Sequence, residues 1–317
     1  MQTSNTHVGP DRARATNAIW TKCWLPFLAD FGVEDPLLTT IQDKIPILRV
    51  FAHRLRDGRL SRSGLPIRAA TIRDHLLHVA KTFSELGAPD PRLTLNGLMD
   101  PRLTRLYKAY ENADPAPQRV KPIPFQVLHH AHQQLNPLSN DFDHAIIDLV
   151  WIAVFFLLRP GEYAKSRENT PLSLANVALL IGHRQLNFYT CPLRDLDRVS
   201  HCSITFDQQK NRNRNETIAH SRSGHAYACP VLALARRIKA LRQYNITPQT
   251  YLCSVYHQNR WKHVSSAQIT TTLRASAAQF THLGFTPSDV NARSLRAGGA
   301  MALLCGHVDA NIIRLVG

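Results

Sequence analysis

At 317 residues, 44% of them hydrophobic, the chain is long enough for two globular domains of ordinary size, each with its own core. Its 38 Lys and Arg against 23 Asp and Glu leave a formal net charge of +15 at pH 7, an excess that points to a polyanion as partner, most often nucleic acid. The same sequence argues against other classes. Its polar N-terminus lacks the apolar core of a secretory signal, Asp148 and Arg159 bracket the one long apolar run and keep it short of a membrane span, and the six cysteines lack the close spacing of a zinc knuckle or redox motif.

The charge is not confined to a tail. Through Pro122 there are 18 basic and 12 acidic residues, net +6, and from Ile123 onward 20 and 11, net +9, so both halves are expected to face the anion. Scattered cysteines read as reduced thiols, and the expected protein is soluble, cytosolic or nuclear, with no membrane partner.

Residues 1–14 are polar and without periodicity, and read as a disordered tail. From Ile19 the apolar positions Trp20, Cys23, Trp24, Phe27, Leu28 and Phe31 recur at three and four, one face of a helix ending near Gly32. A second helix follows on Ile41, Ile45, Leu48, Phe51, Ala52 and Leu55, broken by Asp57-Gly58 and the Ser/Gly-rich stretch after it. Thr71 is predicted to open a third helix, with Asp74 three residues on in a capping-box arrangement and Gly87 closing it. A fourth carries Leu103, Leu106, Tyr107 and Tyr110. With no strand pattern before residue 113, the segment 15–112 is expected to be an all-helical bundle. Four prolines in 113–124 mark an extended linker, whose Arg119 and Lys121 either follow a phosphate backbone or are ordinary surface charge.

Beyond the linker, 125–134 is predicted helical. Its His129, His130 and His132 fall on different faces and read as surface or core histidines rather than metal ligands; no cofactor is expected. Residues 142–158 are apolar on most sides and should form the central helix of the second core. The stretches 176–181, 200–206 and 216–220 have strand character, the last two joined by the polar turn 208–215, and helical periodicity returns in 231–241, 266–279, 293–305 and 310–316. The fold class is therefore mainly α with a small antiparallel β-sheet in the second domain, 125–317.

Three cations stand out. Arg159 ends the apolar run in Phe155-Phe156-Leu157-Leu158-Arg159-Pro160-Gly161-Glu162-Tyr163, where a Pro-Gly pair stops the pattern; a guanidinium at the rim of a packed helix needs water, a carboxylate or an anion. Glu162 is the local candidate, and a ligand phosphate the other. Lys210 lies in the predicted turn with Arg212 and Arg214, within a stretch from Gln208 to Arg242 holding eight basic residues and one acid. Arg296 is followed by Ala297-Gly298-Gly299-Ala300, residues small enough for a ligand or another helix to approach closely. Two arginines and a lysine converging on one point would make a permanently charged clamp for a phosphodiester, able to neutralise charge on phosphorus without a metal ion.

Leu-Leu-Arg159-Pro-Gly-Glu-Tyr, Lys210 on a hairpin and Ala-Arg293-Ser-Leu-Arg296-Ala-Gly-Gly-Ala, in this order and spacing, resemble the tyrosine recombinase (phage integrase) family, most closely its eukaryotic Crypton-like branch. The resemblance spans nearly the whole chain. It implies a SAM-like core-binding bundle followed by a DNA breaking-rejoining catalytic fold, double-stranded DNA as partner with self-association on it, nuclear residence, and descent from the recombination and integration enzymes of mobile elements. It further implies Arg159 and Arg296 as the two phosphate-binding arginines and Lys210 as the proton donor to the leaving oxygen. Arg293 stands where the family usually has a histidine; an arginine stays protonated and either binds phosphate or packs. Arg68 and Arg73 join Arg119, Lys121, Arg212 and Arg214 as candidate DNA contacts. In the family the nucleophilic tyrosine follows a Gly-Arg-Trp or Gly-His element beyond the helix matching 310–316. All eight tyrosines here, from Tyr107 to Tyr256, precede Arg296. The expectation is thus a C-terminally truncated recombinase unable to cleave as given, or a non-catalytic DNA-binding or architectural protein.

Overall fold

In the computed structural model, which describes residues 10–61, 63–116, 120–136, 139–166, 169–206, 216–310 and 312–313, the chain divides into two units, Met1–Pro117 and Gln118–Gly317. The first is helical throughout: α1 (Pro10–Ile19), α2 (Leu25–Ala29), α3 (Ile45–Arg56), α4 (Ala69–Glu85) and α5 (Pro101–Ala113), with a π-helical turn at Trp20–Trp24 between α1 and α2. Trp24 sits at the centre of its core, edge-on to Phe51 at 5.1 Å, with Phe27, Leu48, Ile72, Leu76, Phe83 and Leu103 buried around it. The helix predicted from Ile19 begins earlier, the backbone being helical from Pro10 within the stretch read as a tail, and it is interrupted by the π turn. Pro26 supplies the reason: it has no N–H for the ladder and its ring crowds the carbonyl four residues back, so the turn before it widens.

The capping box predicted at Thr71 is not formed. Helix α4 starts two residues earlier, with Arg68 at its N-cap and no side-chain cap of its own. Asp114, just past α5, does that work from a distance: its Oδ2 accepts from the Ala69 N–H at 2.9 Å, and its other oxygen pairs with Arg56 of α3. The Arg56 hydrogen bond holds the Asp114 carboxyl below the usual range. Helix α5 is capped by Asp100, which accepts from the Arg102 N–H at 2.8 Å ahead of Pro101.

The second unit is built on α6 (Phe125–Gln133) and α7 (Asp141–Phe155), followed by the short α8 (Pro160–Tyr163). Asn140 caps α7, and from Ala145 to Ala153 every residue of α7 is buried. One of them is charged: Asp148 accepts from Nε of Arg236 at 2.8 Å, though burial still pushes its carboxyl pKa up against that pairing. Arg236 belongs to α10 (Pro230–Leu241), which packs along α7, as α11 (Ser266–Ala277) and α12 (Ser294–Cys305) do. Between α8 and α10 lie β1 (Val177–Ile181), β2 (Arg184–Gln185), α9 (Leu193–Asp197), β3 (His201–Phe206) and β4 (Glu216–Ser221). Their antiparallel sheet has the order β2-β1-β3-β4, with Ile204 of β3 opposite both Val177 and Ile218. The unit is thus mainly helical with a small antiparallel sheet.

A second hairpin, β5 (Ser254–His257) and β6 (Arg260–His263), has no counterpart in the sequence reading. Its turn residues Gln258 and Asn259 both take positive φ, 52° and 58°, the two-residue geometry that normally advertises itself with glycine. Residues 120–124, assigned by sequence to the linker, lie against the second unit: the Ile123 N–H donates to Ser294 at 3.3 Å and Lys121 pairs with Asp289 at 3.0 Å. The three histidines of α6 are packing groups. His132 stacks on Tyr227 at 4.1 Å, His129 hydrogen bonds the Tyr227 hydroxyl, and His130 meets the edge of Phe280. Among the described residues no group of three His, Cys, Asp or Glu is placed to hold a metal, and no helix is long and apolar enough to cross a membrane.

Burial lowers the His132 pKa to about 4. An imidazole that protonates more readily unfolded than folded contributes stability fully present above its ordinary pKa near 6.5 and lost as pH falls from there toward 4. The thermal midpoint should therefore drop between pH 6.5 and 4.5, and His132→Phe, which keeps the stack on Tyr227, should flatten that drop in a calorimetric pH series.

Candidate functional site

Helix α7 ends at Phe155 in a turn that positions everything after it. The Phe156 N–H donates to Ile152 at 3.0 Å and the Leu158 N–H reaches back to Ala153 at 2.9 Å, while Leu157 between them takes φ 50°. This is the Schellman-type helix end, with a leucine where glycine is usual, at a conformational cost of roughly 1–2 kcal/mol. The carbonyl of Leu157 is thereby turned outward, and Nη1 of Arg296 donates to it at 3.1 Å. Leu158 is buried, and Arg159 emerges in extended conformation (φ −77°, ψ 148°) at the N-cap of α8.

Glu162 takes the role of local partner to Arg159 and does two things at once. Its Oε2 accepts from the Arg159 backbone N–H at 2.6 Å, and its Oε1 from Nη1 of the same residue at 3.1 Å. One guanidinium N–H is used in this way out of five, and the side chain keeps a quarter of its surface (25%) open to solvent. Arg296 comes to the same place from α12. Its pKa is lowered, first by burial and next by the charge of Arg159, with Glu162 acting in the opposite direction. Two guanidinium ions and one carboxylate therefore share this turn, and the balance is positive.

What lets α12 deliver Arg296 is the run of small residues after it. A Cβ built on Gly299 would lie 2.2 Å from the Val154 carbonyl oxygen and 2.6 Å from Leu157 Cδ2; one on Gly298 would lie 2.8 Å from Ile123. Of the two explanations left open by sequence, close packing is the one these glycines serve. A further tie runs from the buried Tyr163 hydroxyl to the carbonyl of Ala292 at 2.8 Å, fastening α8 to the segment leading into α12. Sequence reasoning gave Tyr163 no role and had no signal for the left-handed Leu157.

The remaining candidates are placed as follows. Lys210, Arg212, Arg214 and Arg119 lie outside the described residues; the hairpin expected to carry the first three is described as far as Phe206 and Glu216, which pair. Arg293 is exposed at the N-cap of α12 and makes no ion pair among the described residues. Lys121 is engaged with Asp289, and its ammonium also reaches the Gly284 carbonyl at 3.4 Å. In the first unit Arg68 is exposed beside the start of α4, while Arg73 pairs with Glu111 and lies over the Tyr107 ring at 5.1 Å.

No family model matches the chain, and no curated protein matches it. Among solved structures it is similar to the Tn1549 transposon integrase (residues 82–397) in complex with circular intermediate DNA, at 12% sequence identity and a TM-score of 0.49, over 98% of this chain and 87% of that one.

Because the α7–α12 contact leaves no room for a methyl group, Gly299→Ala should force the helices apart and destabilise the protein by about 1–3 kcal/mol. The check is chemical denaturation of the two proteins side by side, with Ala300→Gly as a control for helix propensity.

Proposed function

We propose that the chain is a DNA-binding protein of the tyrosine recombinase type, close to the Crypton-like branch and descended from recombination enzymes of mobile elements, in which Arg159 and Arg296 together hold one backbone phosphate of a duplex. The observation that carries this reading is the meeting of these two arginines at the turn after α7. Arg296 binds the carbonyl two residues before Arg159 and is depressed in basicity first by burial and next by the Arg159 charge. Like charges held near each other with a single carboxylate beside one of them are costly until an anion arrives, and a phosphodiester offers the two oxygens that a pair of guanidinium forks can share. The order and spacing of the motifs around Arg159 and Arg296, and the net charge of +15, support the same reading.

Glu162 keeps the pair from being a bare cationic patch. It fixes the Arg159 backbone and side chain together, so that the guanidinium is presented in one orientation. A fork fixed in advance loses less freedom on binding than a free side chain. Lys210, in the sequence between β3 and β4, is proposed as the third cation of the clamp, and Arg293, exposed one turn before Arg296, as an additional contact to the DNA backbone.

Fluorescence anisotropy of the full chain with a labelled duplex, titrated over a range of salt, tests this. Affinity should fall linearly on a log–log salt plot. Arg159→Ala and Arg296→Ala should each weaken binding by about 10- to 100-fold and reduce the slope by about one, as expected for a lost charge-assisted phosphate contact. Arg194→Ala, at an exposed position of α9, should change it by less than about threefold. Salt-independent binding, or arginine variants that bind like the parent, would refute the proposal.

A further inference from the structure

We propose that the second unit holds a binding site for a small organic oxyanion, an apolar body bearing a phosphate or carboxylate, in the cleft between α7 and α10. None of its residues belongs to the Arg159–Arg296 pair, so the inference goes beyond the DNA-binding reading and does not depend on it.

A cavity of about 500 Å³ opens there, a volume ordinary for small-molecule sites. Helical periodicity builds two of its walls. Asp141, His144 and Asp148 recur at three and four along α7, and on α10 Ala240 follows Arg237 by three and Arg236 by four. The alanine leaves room that a longer side chain would fill. Leu135 and the Tyr227 ring add apolar surface, with His132 stacked on the tyrosine.

In this cleft two guanidinium groups meet one buried carboxylate. Asp148 is 7% exposed and Arg237 3%. Nε of Arg236 donates to Asp148 Oδ1 at 2.8 Å; its Nη2 stands 2.8 Å from that same oxygen but outside hydrogen-bonding geometry, and is buried with no hydrogen-bond partner among the described residues. Arg237 spends Nε on the Leu252 carbonyl at 2.8 Å and Nη2 on the Ser254 carbonyl, neutral acceptors that leave its charge unmatched. Burial lowers the Arg237 pKa, with the Asp148 charge pulling the other way. Nδ1 of His132 is likewise buried without a partner among the described residues. Asp141 lies exposed at the mouth, where solvent screens it, and so does little to answer the buried surplus. Two cations against one anion, with unspent N–H groups beside a cavity, favour a bound monoanion: its oxygens would sit on the Arg236 and Arg237 forks and its body against Leu135 and Tyr227.

Phenyl phosphate is the probe, titrated by calorimetry into the full chain carrying Arg159→Ala and Arg296→Ala, so that the arginine pair takes no part. It should bind saturably at one site, with uncharged phenol at least about tenfold weaker. Ala240→Phe places a ring in the cleft from an exposed position and leaves every charge in place; Arg236→Lys keeps a cation for Asp148 but loses the fork. Each should weaken binding about tenfold or more. In proton–nitrogen spectra the imidazole signals of His132 and His144 should move during the titration, while that of His183, on the β1–β2 turn, stays still. Absence of saturable binding, full affinity in Ala240→Phe, phenol binding as tightly as its phosphate, or shifts confined to other histidines would each overturn the site. Should Arg236→Lys not fold, Ala240→Phe and the histidine signals decide. The DNA-binding assay and this one share no residue under test, so either reading can fail alone.

Discussion

The bond from the Arg296 guanidinium to the carbonyl of Leu157 is the constraint around which the second unit is arranged. A backbone carbonyl can face a side chain from another helix only if the chain there leaves the helical ladder, and it does so by placing Leu157 in the left-handed region. A leucine accepts that conformation because its side chain is buried (2% exposed) and α12 presses on it at Gly299. The glycines, the Tyr163 tie to Ala292 and the Arg296 bond are thus one assembly, each making the next geometrically possible. Its product is a pair of cations whose mutual repulsion is only partly answered by Glu162.

The ion pair between Arg159 and Glu162 shows that a structural explanation and a functional one need not exclude each other. Sequence offered them as rivals. In the fold, Glu162 spends one oxygen on the backbone and one on a single guanidinium nitrogen, leaving the rest of the fork available. The carboxylate orients the cation and does not consume it.

Much of this was legible from the chain. The apolar run before Arg159, the Pro-Gly stop and the small residues after Arg296 each follow local rules of periodicity and sterics, and the three main strands announce themselves by β-branched alternation. What escaped depends on partners far away in sequence. Asp114 caps α4 from beyond α5, so the local Ser/Thr/Asp pattern misplaced that helix start at Thr71. The β5–β6 turn adopts a glycine-like geometry with Gln258 and Asn259, and so lacked its usual marker.

Asp114 also bears on the order in which the first unit can be completed. One carboxylate from the far end of that unit joins α3 to the opening of α4, so neither helix is fully secured by what precedes it in the chain. During synthesis, α4 would leave the ribosome with its leading amides still facing water, and closure would await the emergence of residue 114 some thirty positions after the helix had ended. A unit secured from near its end is completed only once almost all of it has emerged.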